Sequence, residues 1–221
     1  MLVETNGACL NPSFSSNSTI DMLVLNCTVK VAGNFTLTIK TKAGVVVNTT
    51  TIPVLNPQAR IETTLGNIVL ELNPAAAPIT VNNFLSYVNN GFYQNTLFHR
   101  VISGFMIQGG GYTTGLVKKD GLKDPIVLES NNGLTNLRGT VAMARTDVAN
   151  SATSEFFINH ADNSFLNYST TNPGYAVFGK VIQGMDVVDV IANKPTAVSN
   201  VLKDVPVPVE DITITSALQI K

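Results

Sequence analysis

The chain has 221 residues, of which 44% are apolar, so it can bury a substantial core in one domain of ordinary size with a small appendage. Fourteen basic and fifteen acidic residues leave a net charge of −1, without the long basic run that binding to phosphates would favour. No nucleic-acid partner is therefore expected, nor a membrane span, because no apolar stretch approaches the roughly 20 residues that cross a bilayer.

Residues 1–58 differ in composition from the rest and are rich in Asn, Ser and Thr. Apolar and polar residues alternate in the segments LVLNCTV and FTLTI, a pattern typical of strands. We predict a small β-rich extension of about three strands, with its boundary near Pro53 and Pro57. The following domain spans residues 59–221.

The only cysteines, Cys9 and Cys27, both lie in this extension. An even pair suggests a disulfide, although two unrelated buried thiols are the alternative. A bridge would favour a periplasmic or other extracytoplasmic location. The first ten residues lack the pattern of a signal peptide. With an extracytoplasmic location, we therefore expect that a signal peptide preceded them and was removed.

From Ala59 onward the pattern predicts short strands interrupted by two helices. A hairpin turns at residues 65–67, and apolar residues spaced by three and four residues predict a helix between Pro78 and Gly91. A second helix is predicted at residues 185–192. Further strands are predicted at residues 97–101, 104–108, 126–129, 139–144, 155–159, 176–182 and 210–220. Many short strands with two helices favour a barrel closed by helices.

The segment FHRVISGFMIQGGG at residues 98–111 contains the first candidate for chemistry. Arg100 is a cation among apolar residues, and a buried cation is costly unless it is paired or used. A turn at Ser103 and Gly104 returns apolar surface and the Gln108 amide toward it. An ordinary hairpin with one partly exposed arginine is the alternative. The glycine triplet is no phosphate loop, because no Gly-Lys-Ser/Thr follows it.

Two more runs follow in order. The second run is GTVAMAR with SATSEFFINH, and the third is ADNSFLN with GYAVFGKV. With the first, they resemble the cyclophilin family of peptidyl-prolyl cis-trans isomerases over residues 59–221, and they look most like bacterial cyclophilins, including periplasmic ones. The resemblance implies a mainly β fold: an eight-stranded antiparallel barrel closed by two helices. It also implies an isomerase that assists protein folding by rotating X-Pro bonds in unfolded or extended polypeptides, without a cofactor.

The resemblance assigns roles to individual positions. It implies that Arg100 is catalytic and that Gln108 holds the substrate backbone. The proline pocket that it implies is formed by Phe105, Met106, Phe157 and Leu166. It places the residue before the proline against the main chain of Ala144 and Arg145. Phe165 and Tyr175 would complete the rim.

Several positions depart from the better-known eukaryotic pattern. Phe165, Tyr175 and Arg145 replace a tryptophan, a histidine and an asparagine, and the first two should leave only weak cyclosporin binding. Glu155 stands where a glutamine is usual. Since residues two apart share a face of a strand, we expect Glu155 to lie beside Phe157, approach Arg100 and reduce its positive potential.

Two other readings remain open. A peptide-binding module or holdase would use the groove without turnover, although Arg100 favours the enzyme. In the second, structural reading, the N-terminal extension is a docking element that places the isomerase near a partner. No metal site is expected, because two histidines without a nearby cysteine make a poor zinc set.

Overall fold

The structure is a computed structural model that describes residues 2–5, 9–19, 24–29 and 33–221. It divides the chain into two compact units, Met1–Asn56 and Pro57–Lys221. None of the helices in the described ranges is long and apolar enough to cross a membrane.

The N-terminal unit contains five strands among its described residues. They are β1 (Leu2–Thr5), β2 (Cys9–Phe14), β3 (Leu25–Val29), β4 (Gly33–Lys40) and β5 (Val46–Val54). Strand β4 pairs with β1 and β5 in one antiparallel sheet, and β2 pairs with β3 in another. The prediction of about three strands was therefore too low. Pro12 on its own would indicate a turn. It lies instead in β2, where the register shifts between Leu10 and Ser13, and such an irregularity in a strand tolerates proline.

The second unit contains thirteen strands. They are β6 (Gln58–Thr63), β7 (Gly66–Leu72), β8 (Thr96–Leu97), β9 (Arg100–Ile102), β10 (Met106–Gly109), β11 (Tyr112–Thr113), β12 (Val117–Lys118), β13 (Thr140–Met143), β14 (Phe156–Asn159), β15 (Val177–Gln183), β16 (Thr196–Ser199), β17 (Val205–Pro208) and β18 (Thr213–Gln219). Strands β11 and β12 form one small pair, and β16 and β17 form another.

The other nine strands form one antiparallel sheet in the order β8-β18-β6-β7-β15-β13-β14-β10-β9. Its two edge strands, β8 and β9, are separated by only two residues, so the edges meet and the sheet closes. With β8 and β9 counted as one interrupted strand, this is the predicted eight-stranded antiparallel barrel, and the fold class is confirmed.

Two helices pack against the barrel. Helix α1 (Pro78–Asn89) begins with a proline, which suits the first turn of a helix, and buries Val81, Phe84 and Val88 on one face. The Phe84 ring lies 5.2 to 5.5 Å from three other aromatic rings of the core. Helix α2 (Met185–Ala192) buries Val188 and Ile191. Both helices lie where the apolar spacing predicts them.

One predicted strand is wrong. Residues 126–129 form only an isolated bridge between Ile126 and Ala152. The Leu128 N–H donates instead to the side chain of Asn150, so a side-chain acceptor replaces the neighbouring strand. A short apolar run does not reveal which acceptor its backbone will meet.

Candidate active site

Strand register brings the central residues of the site into one row on the outer face of the barrel. Arg100 in β9 lies opposite Gln108 in β10, Gln108 lies opposite Phe157 in β14, and Phe157 lies opposite Ala142 in β13. Residues that lie directly opposite one another share a face of the sheet. Their chain neighbours Val101, Ile107, Ile158 and Val141 belong to the main core.

Three residues of the row, Arg100, Gln108 and Phe157, line an open pocket of about 290 Å³. Met106 and Phe157 form its apolar floor and are 1% and 4% exposed. Ten residues line the pocket: Arg100, Phe105, Met106, Gln108, Ala144, Arg145, Phe157, Leu166, Tyr175 and Val205. A pocket of this kind suits a small apolar ring with polar groups on either side.

Arg100 supplies the charge at this pocket. Its Nη1 donates to Gln108 Oε1 over a long 3.4 Å, and its Cζ lies 5.8 Å from the centroid of the Phe105 ring. No ion pair found in the described part of the chain includes Arg100. Burial lowers the pKa of Arg100, and the nearby Tyr175 partly opposes this. The guanidinium stays charged at neutral pH because the pKa of arginine starts so high.

Glu155 lies behind Gln108 and does not line the pocket. Its Oε2 accepts a 2.8 Å hydrogen bond from Gln108 Nε2 and lies 3.3 Å from Nε2 of the buried His99. The expectation that Glu155 approaches Arg100 directly is wrong, because Gln108 stands between the two charged groups. Burial alone would raise the pKa of Glu155, but hydrogen bonds from His99 and Gln108 and the nearby charges together lower it.

The glycine triplet leaves room for this carboxylate. A Cβ atom at Gly111 would lie 2.5 Å from Glu155 Cγ and 2.6 Å from both Cδ and Oε1. A Cβ atom at Gly109 would lie 2.8 Å from the Leu97 carbonyl oxygen. The run of glycines, which the sequence excluded as a phosphate loop, therefore permits close packing beside the site.

Arg145 and Tyr175 form the opposite rim. The Arg145 guanidinium lies 4.6 Å from the Tyr175 ring centroid, while its Nε donates to the Gly174 carbonyl. Tyr175 packs edge-on against Phe157, with ring centroids 5.6 Å apart. The Ala144 N–H donates to the Glu155 carbonyl, so this segment is tied to the strand that carries Phe157.

Phe165 lies outside the pocket lining. It belongs to a short 3-10 helix, Ser164–Leu166, is 64% exposed, and stacks on Phe105 with ring centroids 5.6 Å apart. Of the residues predicted for the site, the structure thus brings together all except Phe165 and Glu155, which contact lining residues from outside.

Val205 lines the pocket but was missed by the sequence analysis. It begins β17, which lies against β9, the strand of Arg100. The hairpin of β16 and β17 lies outside the three sequence motifs. Its alternating segment VPVP was the only available signal, and prolines weaken such a signal for a strand.

His160 supports the turn that leads into Phe105. Its Nδ1 accepts a 2.9 Å hydrogen bond from the Gly104 N–H, and its Nε2 lies 3.1 Å from Asp189 Oδ1. Arg138 holds Asp189 through Nη2, at 2.7 and 2.9 Å from the two carboxylate oxygens. The imidazole tautomer that is protonated at Nε2 satisfies both of its contacts.

The predicted disulfide concerns side chains that lie outside the described residues. Cys9 and Cys27 themselves lie in the paired strands β2 and β3. Within the described ranges, no group of three or more His, Cys, Asp or Glu side chains is arranged to hold a metal ion.

Comparison with known proteins identifies relatives of the barrel unit. A family profile described as cyclophilin type peptidyl-prolyl cis-trans isomerase/CLD matches residues 58–218. A peptidyl-prolyl cis-trans isomerase of Acinetobacter baylyi is 56% identical over 160 residues, which cover 72% of this chain and 85% of the relative. Peptidyl-prolyl cis-trans isomerase A of Dickeya dadantii is 51% identical over 161 residues, covering 73% of this chain and 83% of the relative.

A solved structure also matches. The crystal structure of a cyclophilin type peptidyl-prolyl cis-trans isomerase from Cryptosporidium parvum, in the presence of the dipeptide Ala-Pro, has a TM-score of 0.61 and 28% sequence identity. The match covers 74% of this chain and 99% of that chain.

Proposed function

Since the chain belongs to the cyclophilin-type peptidyl-prolyl cis-trans isomerases and catalyses rotation about X-Pro bonds, we propose that it does so at the pocket beside Arg100. The observation that carries this proposal is the position of Arg100. A cation with one long hydrogen bond and no carboxylate partner among the described ion pairs stands at the edge of an apolar pocket. Its remaining N–H groups are available to a substrate.

The chemistry requires no bond to break. Rotation about an X-Pro bond has a barrier of about 18–20 kcal/mol, because the amide is stabilised by resonance. A twisted amide loses this conjugation, and its nitrogen becomes pyramidal and basic. A fixed guanidinium that donates toward that nitrogen binds the transition state more strongly than the ground state, which lowers the barrier.

The pocket provides the orientation that this step needs. The proline ring would lie on Met106 and Phe157, between Phe105 and Leu166. Gln108 would hold the backbone on one side, and the main chain of Ala144 and Arg145 would hold the residue before the proline. With both sides anchored, one end of the bond turns against the other, so that binding supplies orientation.

The substrates are proline-containing peptides, and we infer that they are unfolded or extended segments of client proteins. The pocket is open at the surface and takes one ring, while the flanking chain must lie extended to reach both rims. Weak cyclosporin binding is part of the same proposal, because Phe165 is exposed and lies outside the pocket and Tyr175 is engaged by Arg145.

We propose an extracytoplasmic, periplasmic location for the chain, with residues 59–221 as the isomerase domain and residues 1–58 as an added β-rich extension. The support is the pair of cysteines in the extension together with the bacterial relatives of the barrel. Cysteines placed on adjacent strands suit an oxidising compartment, where a bridge would persist.

The site assignment is tested by titrating the ¹⁵N-labelled full chain with a short Ala-Pro peptide. Backbone amide signals of Gln108, Ala144, Arg145 and Phe157 should shift together, and exchange spectroscopy should report faster cis-trans exchange of the peptide. Faster exchange with shifts confined to another surface would contradict the assigned site. Shifts at these residues without faster exchange would favour a peptide-binding module.

A further inference from the structure

The Gln108 side-chain amide lies between a group that can only donate and a group that can only accept. On one side, Arg100 Nη1 lies 3.4 Å from Oε1, and on the other, Glu155 Oε2 lies 2.8 Å from Nε2. A guanidinium has no acceptor and an ionised carboxylate has no donor. Only one orientation of the amide satisfies both neighbours.

We propose that Glu155 is a positioning residue that fixes the orientation of the Gln108 amide, so that Nε2 faces Glu155 and Oε1 faces Arg100. Glu155 thereby acts on the substrate through Gln108 and not as a counter-ion of Arg100. The inference rests on the proposed role of Gln108 in binding substrate backbone. With its orientation fixed, the amide presents one N–H and one lone pair at defined places beside the pocket.

The surroundings of Glu155 hold the carboxylate in place. His99 Nε2 lies 3.3 Å from the same Oε2 that accepts from Gln108, so two donors converge on one oxygen. His99 is 3% exposed and lies 4.6 Å from the Tyr112 ring, and its Nδ1 has no hydrogen-bond partner among the residues that the structure describes. Gly111 admits the carboxylate from the other side, because any larger residue there would fill its space.

The Glu155 carboxylate can affect catalysis in two separable ways, through its oxygen acceptor and through its charge. Its lowered pKa keeps the carboxylate ionised at neutral pH. However, its charge acts on Arg100 across an intervening amide and is already engaged by His99. The oxygen acceptor is in direct contact with Gln108, so we rank the acceptor above the charge in its effect on catalysis.

Two substitutions separate these contributions. Glu155→Gln keeps an oxygen that can accept from Gln108 and His99 but removes the charge, whereas Glu155→Leu removes both. We expect Glu155→Leu to raise KM about tenfold, because a hydrogen bond to a charged group is lost. Glu155→Gln should retain a KM within about threefold of the wild type. The matched control is Glu71→Leu, since this carboxylate pairs with Lys180 away from the pocket.

The Gln108 amide gives a second readout that does not depend on activity. In ¹⁵N-glutamine-labelled full chain, with the signal assigned by its loss in Gln108→Leu, one Nε2 proton should be shifted downfield and protected from exchange. The shift should persist in Glu155→Gln and disappear in Glu155→Leu. This result would stand even if the proposed role of Gln108 in substrate binding failed.

Three outcomes would overturn the proposal. The first is a wild-type Gln108 amide whose two protons exchange as freely as those of an exposed glutamine. The second is equal kinetics for Glu155→Gln and Glu155→Leu with both far from the wild type, which would make the charge the active property. The third is a Gln108 Nε2 signal that stays shifted and protected in Glu155→Leu as in the wild type. Loss of that shift at a wild-type KM would instead overturn the proposed role of Gln108 in substrate binding.

Discussion

Gly111→Ala tests the packing behind the pocket. The added Cβ would lie 2.5 to 2.6 Å from the Cγ, Cδ and Oε1 atoms of Glu155, distances that real Cβ atoms do not show. Gly111 is not among the glycines with positive φ, so an alanine meets no backbone strain there. The three atoms nearest to the added Cβ all belong to Glu155, so the substitution should act on that side chain.

The magnitude follows from the contacts that the displaced carboxylate would lose. It accepts from Gln108 and contacts His99, and hydrogen bonds to charged groups are worth about 1.5–3 kcal/mol each. Part of this is recovered, because the Glu155 side chain is 24% exposed and can turn toward water. We expect a net loss of about 1–3 kcal/mol in the free energy of unfolding, which lowers Tm by about 2–4 °C per kcal/mol for a chain of this size.

Thermal unfolding of the full chain, followed by near-UV circular dichroism, measures this loss, and peptide exchange measures the accompanying rise in KM. The control is the same substitution in a Glu155→Ala background, where the clashing atoms are gone. A double-mutant cycle should show Gly111→Ala to be destabilising in the wild type and close to neutral in that background. Equal destabilisation in both backgrounds would refute the reasoning.

Three further predictions concern residues around the site and the extension. His160→Gln should raise KM about threefold, because the glutamine oxygen lies one bond farther out than Nδ1 and leaves the Gly104 N–H without its acceptor. His160→Asn should not, since its Oδ1 can replace Nδ1. Steady-state kinetics of both variants decide this, and equal values would contradict it. Val205→Ser should raise KM about two- to threefold at nearly constant kcat, because it removes apolar surface from the pocket; unchanged KM would remove Val205 from the site. Cys9 and Cys27 should be joined, worth about 3 kcal/mol on the chain-entropy model; two alkylated thiols in intact-mass analysis of unreduced protein from an oxidising compartment would contradict the bridge.

The sequence predicted the two helices and most strands of the barrel because these depend on local patterns, whereas the eight-stranded barrel was implied by the family resemblance. Apolar spacing and Pro78 define α1, and the run from Met185 to Ala192 defines α2. The row of Arg100, Gln108 and Phe157 was predictable as a set from the resemblance, while the register that brings it together required the structure.

Other features depend on contacts between distant segments. The turn predicted at residues 65–67 begins one residue earlier in the structure. Thr63 pairs with Gly66, so that Thr64 and Leu65 form the loop. Glu155 shares the face of Phe157 as periodicity suggests, but alternation gives no information on which neighbour a long side chain reaches. Val205 comes from a hairpin almost a hundred residues after the first motif, and neither its composition nor its spacing indicates which strand it packs against.

The account depends most on Arg100, and one comparison tests it directly. Cis-trans exchange of a short Ala-Pro peptide is measured by NMR exchange spectroscopy with wild-type protein and with Arg100→Ala, whose fold is checked by circular dichroism and whose peptide binding is checked by titration. Loss of one charged transition-state contact should cost about 2–4 kcal/mol, so the folded, peptide-binding variant should be slower by roughly two to three decades. A folded Arg100→Ala variant that catalyses exchange within about threefold of the wild type would contradict the proposed mechanism.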